Sequence, residues 1–448
     1  MLTHRHDTII GDIPDDWQPK PLRILLEKQF SGEWGSDEGE QAVSVLRSTN
    51  FTKSGALDFS DVATRYFNQD KAETFGLQKG DLLVERSGGG PDQPVGRIGF
   101  ITEDIPGGTV SNFVQVLRPD PEKVDPNFLG WVLYELQRTG IIERVQQQST
   151  QMRNLNWRDY RRLLLPWPDP DEQRRIAAAL KLADDAIAKA KAELEATREL
   201  KRSLMTQVFE NGLAPSVNKK PYKIHRCYTA SIPAHWNTEP LGKSLLLVEY
   251  GTNAASNDHQ SGYPVIAIPQ VVAPHLSLTD VPFAEVSETE AAALRLITDD
   301  VLLIRTNGNP EYIGKSTIVS EEVGATHTIF ASYLIRLRTD KEKLLGAYLN
   351  YFLASPLGRR QAGAVANTSA GNNNIGARAI KQFKLPRPPV AEQAQIVDLL
   401  NGVETQINAM AGKVKALHQV KKSLLQNLLT GKLRILAEEQ SNKAAIHG

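Results

Sequence analysis

Side chains able to read base edges are concentrated in two stretches of this chain. One is Gln146-Gln147-Gln148-Ser149-Thr150-Gln151-Met152-Arg153-Asn154; the other is Asn367-Thr368-Ser369-Ala370-Gly371-Asn372-Asn373-Asn374. Arginine presents paired donors that suit guanine, and the carboxamides of Asn and Gln suit adenine. Two earlier loops add Arg86, Ser87 and Arg97, and then Arg305, Thr306, Asn307 and Asn309. The candidate base contacts are therefore Arg86, Ser87, Arg97, Gln148, Thr150, Gln151, Arg153 and Asn154 in the first half. In the second they are Arg305, Thr306, Asn307, Asn309, Thr368, Ser369, Asn372, Asn373 and Asn374. A solvated polar loop has the same composition, so that alternative stays open. Arg158, Arg161 and Arg162 suit phosphates, which position a protein without specifying sequence, or a solvated helix face.

The two stretches occupy equivalent places in a tandem duplication. Leu165-Pro166-Trp167-Pro168 with Glu172-Gln173-Arg174-Arg175-Ile176 returns as Leu385-Pro386-Arg387-Pro388 with Glu392-Gln393-Ala394-Gln395-Ile396, an offset of 220. Ile13-Pro14-Asp15-Asp16-Trp17 matches Ile232-Pro233-Ala234-His235-Trp236, and Gly80 to Ser87 matches Asp299 to Thr306, both offset by 219. Asn154-Leu155-Asn156 matches Asn374-Ile375-Gly376. A period this long means a duplicated domain, not a solenoid. The framework repeats while the polar loop residues differ.

Within each copy, Leu82–Glu85 and Val301–Ile304 are short apolar runs bounded by Asp and Gly, which predict buried strands. Phe113–Leu117 and Ser332–Leu337 also predict strands, and Phe128–Thr139 and Lys343–Leu353 predict helices. The expected organisation is a first globular unit over 1–165 and a motif plus long helix over 166–213. A linker over 214–220 (extending to 221 by composition) leads to a second unit over 221–385. A second motif and helix cover 386–434, before a frayed tail over 435–448.

The long helices carry an apolar seam. Ile176, Leu180, Ala183, Ile187, Ala190, Leu194, Thr197, Leu204 and Val208 alternate steps of mostly four and three. So do Ile396, Leu400, Val403, Ile407, Met410, Val414, Leu417, Leu424 and Leu428. That is a coiled-coil pattern, with Asp184, Lys189, Glu193 and Lys413 expected on the outer faces. Roughly 40 residues make a rod of about 60 Å. Each helix leaves its own globular unit, so an antiparallel pair is expected, with the units separated by the rods. The fold class is α+β: two mixed α/β units joined by two antiparallel coiled-coil helices, pseudo-twofold through duplication. Leu200, Leu204, Val420, Leu424 and Leu425 form a further apolar strip suited to partner helices.

Bulk properties fit a water-soluble chain of several domains. It has 448 residues, 41% apolar and 23% charged, with zero formal net charge. Neutrality does not advertise nucleic-acid binding, although a basic face can hide in a balanced total. No run is long enough to span a bilayer, and no export signal opens the chain. The single cysteine, Cys227, permits no internal disulfide and points to a reduced, cytoplasmic setting.

Taken in order, the Pro-x-Pro, the Glu-Gln-x-x-Ile, the long helix and the closing Leu428-Leu429-Thr430-Gly431-Lys432-Leu433 resemble Type I restriction–modification specificity subunits. The two Ile-Pro-x-x-Trp openings resemble the same family, and the resemblance runs from residue 13 to 434. It implies two target recognition domains, each reading half of a split double-stranded DNA site. It also implies helices that set the spacing and dock two DNA adenine methyltransferase subunits, with restriction–translocase subunits in a larger assembly. The subunit itself would be non-catalytic, with no cofactor of its own and S-adenosylmethionine in the partner methyltransferase. The first helix departs from the pattern: it ends Phe209-Glu210-Asn211-Gly212-Leu213, without Gly-Lys.

Catalytic alternatives find little support. Asn309-Pro310-Glu311-Tyr312 lacks the second Pro of an amino-methyltransferase loop, and no Gly-rich turn supplies a cofactor site. Gly314-Lys315 and Gly431-Lys432 lack the upstream Gly of a P-loop. Nine histidines and one cysteine show no metal spacing. A structural adaptor with a coiled-coil stalk and a nuclease remain the rival readings.

Overall fold

The structure, a computed structural model, describes residues 6–89, 95–148, 153–213, 218–225, 228–273, 275–369 and 372–435. The chain divides into two compact units: unit 1 joins residues 1–190 to 413–448, and unit 2 spans 191–412. Two long helices, α1 (Pro170–Asn211) and α2 (Val390–Leu428), each give one half to each unit. Helix α1 starts where its sequence directs. Asp169 accepts the Glu172 amide at 3.0 Å, Pro170 takes the first position, and Asp171 and Glu172 face the positive end of the helix dipole.

In unit 1 a four-stranded antiparallel sheet carries the core. Its strands are β1 (Leu26–Ser31), β2 (Leu82–Glu85), β4 (Ile98–Phe100) and β5 (Val114–Pro119), in the order β4-β2-β5-β1. A separate three-stranded sheet joins β3 (Ser87–Gly89), β6 (Gln146–Gln148) and β7 (Arg153–Leu155) in the order β6-β7-β3. The helix Pro126–Arg138 packs its apolar face, including Phe128, Leu129, Val132 and Leu136, into one core with Ile176 and Leu180 of α1 and Leu425 and Leu428 of α2.

Unit 2 repeats this plan. Strands β8 (Leu245–Tyr250), β9 (Val301–Ile304), β11 (Ser316–Ile318) and β12 (Leu334–Thr339) form the sheet β8-β12-β9-β11. Strands β10 (Thr306–Asn307), β13 (Asn367–Ser369) and β14 (Asn372–Asn374) form the sheet β10-β14-β13. The registers correspond: Leu83 faces Val116 in unit 1, and Leu302 faces Arg336 in unit 2. Phe209 of α1 packs edge-on against Tyr348 and Phe352 of the helix Gly346–Ala354.

The duplicated motifs turn out to be fasteners within each unit. Trp17 donates its indole N–H to Glu172 at 3.1 Å, and Trp236 donates to Glu392 at 3.2 Å. The fully buried Gln173 accepts from the Asp125 amide at 2.8 Å and donates to the Pro168 carbonyl at 2.8 Å. Gln393 likewise accepts from Leu345 and donates to the Lys343 and Pro388 carbonyls, each at 2.9 Å. Truncating Gln393 to Ala strands three backbone polar groups in the interior. Urea unfolding should show a loss of about 3 kcal/mol; an unchanged midpoint would contradict the fastener role.

Helix ends close the units the same way despite the missing Gly-Lys. Gly431 (φ +67°) lies where a Cβ would come within 2.5 Å of the Pro14 ring. Gly212 (φ +76°) lies where a Cβ would come within 3.2 Å of the Trp236 ring and 3.1 Å of Glu392. Each helix thus ends on the tryptophan of its unit. Beyond Gly431, Arg434 binds both Asp16 and Glu172, and the hydrogen bond from Arg434 holds the Asp16 carboxyl below its ordinary range. In unit 2, Glu392 meets His235 instead, at 3.1 Å.

The helix halves run antiparallel inside each unit. In unit 1, Asp184 of α1 pairs with the buried Lys421 of α2, whose ammonium sits 4.5 Å from the Trp131 ring. In unit 2, Lys201 of α1 pairs with Glu404 of α2, 5.6 Å from the Tyr351 ring. Burial and the Glu404 charge push the Tyr351 hydroxyl up to about 12. These four partners are related by the repeat offset of 220.

Several expectations are corrected. Asp184 is half-buried in an ion pair, not on an outer face. Leu425 is 1% exposed and belongs to the unit 1 core, because residue 425 falls on the side of α2 that packs against the globular part. Lys219–His225 is not linker but a strand paired with Tyr228–Pro233. Strands β5 and β12 begin at Val114 and Leu334, so Phe113, Ser332 and Tyr333 lie before them. The tail beyond 435, residues 214–217 and Cys227 lie outside the described residues.

Candidate nucleic-acid interface

The three-stranded sheets gather candidates that are remote in sequence. In unit 1, Gln146, Gln147 and Gln148 pair with Leu155, Asn154 and Arg153, and β7 in turn pairs with β3 through Arg153↔Gly89 and Asn154↔Ser87. In unit 2, Asn367, Thr368 and Ser369 pair with Asn374, Asn373 and Asn372, while Thr306 and Asn307 pair with Asn374 and Asn373. Amide-rich segments are poor strand formers by propensity. Here they are held by ladder hydrogen bonds to a third strand that continues from the buried core strand β2 or β9.

One arginine backbone ties each hairpin to the main sheet. The Leu155 amide donates to the Arg86 carbonyl at 2.8 Å, and the Arg86 amide donates to the Phe113 carbonyl at 2.8 Å. Ile375, Arg305 and Tyr333 repeat these bonds at 2.8 and 2.9 Å. The side chains diverge. Arg86 donates to the Ser31 hydroxyl at 3.1 Å, whereas Arg305 lies 4.6 Å over the Tyr250 ring and donates to the Ser332 carbonyl at 3.1 Å. Tyr250 accepts the Ala377 amide at 2.9 Å, which fixes the ring under the guanidinium.

Most candidates fall on these sheets or at their edges. Arg86, Ser87, Arg153, Asn154, Arg305, Thr306, Asn307, Asn373 and Asn374 are half-buried, and Asn309 is exposed. Gln148, Thr368, Ser369 and Asn372 are placed by their backbone pairing. Thr150 and Gln151 lie outside the described residues. Asn307 and Asn309 also shape their loop: Asn307 accepts the Asn309 amide at 2.7 Å, and Asn309 accepts the Glu311 amide at 2.9 Å.

Arg97 is a correction. It forms a fork with the buried Glu85 at 2.7 and 2.8 Å and also donates to the carbonyls of Ser48 and Phe51. A guanidinium committed to four interior acceptors braces the sheet and cannot also read a base. Its position in unit 2 holds Lys315, and Ile304 stands where Glu85 does, so the brace is not duplicated. Sequence reasoning also passed over the exposed Phe113 and Tyr333, which lie beside Arg86 and Arg305. Aligning the halves at offset 220 pairs the two aromatics and could have singled them out. Arg158 and Arg378 are a further matched, exposed pair on the short helices Trp157–Tyr160 and Ala377–Lys381.

Residues 14–196 match the Type I restriction modification DNA specificity domain. The putative type I restriction enzyme MjaX specificity subunit of Methanocaldococcus jannaschii is 20% identical over 437 residues, covering 96% of each chain. The type I restriction enzyme EcoKI specificity subunit of Escherichia coli K12 is 25% identical, covering 94% of this chain and 90% of its own. Over nearly its whole length the chain is thus similar to Type I restriction–modification specificity subunits. A solved structure described as showing complex assembly and conformational transition of the type I R-M system shares the fold. Its TM-score is 0.60 at 16% identity, covering 94% of this chain and 99% of that chain. The S subunit from M. genitalium gives 0.53 at 15% identity, covering 92% and 96%. Among the described residues, no group of His, Cys, Asp or Glu could hold a metal ion. No helix among them is long and apolar enough to cross a membrane.

Proposed function

We propose that this chain is the DNA-recognition subunit of a Type I restriction–modification assembly, non-catalytic in itself, in which each unit reads one half of a bipartite site. The observation that carries the reading is the recurrence of one polar hairpin sheet in both units, on the same arginine anchor, with different side chains. A two-stranded β-ribbon fits the major groove, where Arg, Asn and Gln distinguish base pairs. Arg158 and Arg378, exposed at equivalent places beyond each hairpin, suit the phosphates that set register. A stalk-only adaptor has no use for two such sheets.

The partners are two adenine methyltransferase subunits, which bring S-adenosylmethionine, with restriction–translocase subunits joining a larger complex. Leu200 (57% exposed) and Val420 (52% exposed) are repeat equivalents on α1 and α2, one in each unit, and support one docking strip per unit. Leu204 and Leu424 border them, half-buried. Leu425 and its equivalent Met205 lie inside the cores.

The test is sequencing of N6-methyladenine in a host expressing the chain with a methyltransferase subunit. A split motif with two unlike halves is expected; a continuous motif, or none, refutes the reading. A second prediction separates docking from folding. Leu200→Glu and Val420→Glu should each remove one methyltransferase from the complex in native mass spectrometry while melting stays unchanged. Leu425→Glu should destabilise unit 1 by more than roughly 3 kcal/mol, because a carboxylate replaces a core leucine. Two methyltransferases retained by the Leu200 and Val420 double variant would remove this strip from consideration.

A further inference from the structure

The duplication preserves an aromatic where exposure makes one costly. Phe113 is 40% exposed and Tyr333 is 54% exposed, yet Val114 and Leu334, the next residues, are buried at 1% and 0%. Both rings stand in a tight turn before the central strand β5 or β12. The turns are closed by the Val114 amide on the Ser111 carbonyl at 2.9 Å and the Leu334 amide on the Ala331 carbonyl at 3.0 Å. An exposed ring gains nothing for the core, so its recurrence across the repeat calls for a contact outside the fold.

What surrounds the rings identifies that contact. The Phe113 carbonyl accepts the amides of Arg86 and Ser87, at 2.8 and 3.2 Å, and the Tyr333 carbonyl accepts that of Arg305 at 2.9 Å. The backbone bearing each ring is therefore bonded to the backbone bearing the base-reading candidates. In unit 2 the Arg305 guanidinium also clasps the turn through Ser332. A ring on such a pinned turn presents a large apolar surface at little conformational cost. Its complement on DNA is not the charged backbone but the base edges, where thymine offers a methyl group in the major groove.

We propose that Phe113 and Tyr333 are specificity-determining residues, one for each half-site, whose rings pack against base edges beside the polar hairpin. This rests on the DNA-recognition reading above. The Tyr333 hydroxyl adds a donor and acceptor that Phe113 lacks, so the two turns are suited to unlike bases.

The test uses the complete chain with its methyltransferase subunits. Phe113→Ala should make one base position degenerate in one half of the methylated motif and leave the other half intact. Tyr333→Ala should do the same to the opposite half. Binding to the target duplex should fall about 10-fold. Binding to unrelated duplex, and its salt dependence, should not change, because no phosphate contact is lost. Phe113→Leu, which keeps an apolar side chain, should retain part of the discrimination, and unchanged melting of all three variants excludes a folding effect. Full motifs and wild-type affinity in both alanine variants would overturn the assignment. So would loss of methyltransferase subunits at normal DNA affinity, which would make the rings protein contacts. A wild-type complex that produces no split motif would instead overturn the reading beneath it.

Discussion

Replacing residues 221–385 with the equivalent unit of a related subunit changes one half of the methylated motif completely and leaves the other as it was. The effect is all-or-none because every candidate base contact of unit 2 lies inside the exchanged segment, from Arg305 to Asn374. The segment ends before Glu392 and Gln393, so the incoming unit must supply its own tryptophan for Glu392. It must also supply backbone groups equivalent to those of Lys343 and Leu345 for Gln393, and aromatic partners for Phe209. Methylome sequencing reads the outcome. If both halves of the motif change together, the units do not read independently.

Four residues inserted into both long helices, between Ala190 and Lys191 and between Gly412 and Lys413, lengthen the preferred gap between half-sites by one or two base pairs. Four helical residues add about 6 Å, against about 3.4 Å per base pair. Both insertion points fall where the helices pass from one unit to the other. The matched insertion therefore leaves the Asp184–Lys421 and Lys201–Glu404 pairs intact. An insertion in α1 alone shifts one helix against its partner between those two ion pairs and should cost assembly. Methylation of substrates with graded spacers measures the optimum. An unchanged optimum at full activity would reduce the helices to a stalk.

Much of the fold was legible because apolar periodicity and helix punctuation are local signals. The buried runs Leu82–Glu85 and Val301–Ile304 are strands as read, and α1 ends at Asn211, before Gly212 with its positive φ. Asp184 was misread because a charged residue at an outer heptad position ordinarily faces water. Here Lys421 reaches it from another segment, over Trp131. Leu425 was misread because period alone does not say which of two adjacent apolar faces a globular domain will cover.

Position by position, the chain alone determined the duplication, the helix seams and the clustering of amides and arginines, since each follows from residue types at fixed spacing. Tertiary structure decided what those residues do. It set the Glu-Gln motifs to work as buried clamps on backbone carbonyls and tied up Arg97 with Glu85. It brought Ser87 beside Asn154 and Thr306 beside Asn374, and left Phe113 and Tyr333 in the open. The reason is physical. A hydrogen-bond donor or an apolar ring has no fixed role until the fold determines whether water, another side chain or nothing lies within reach of it.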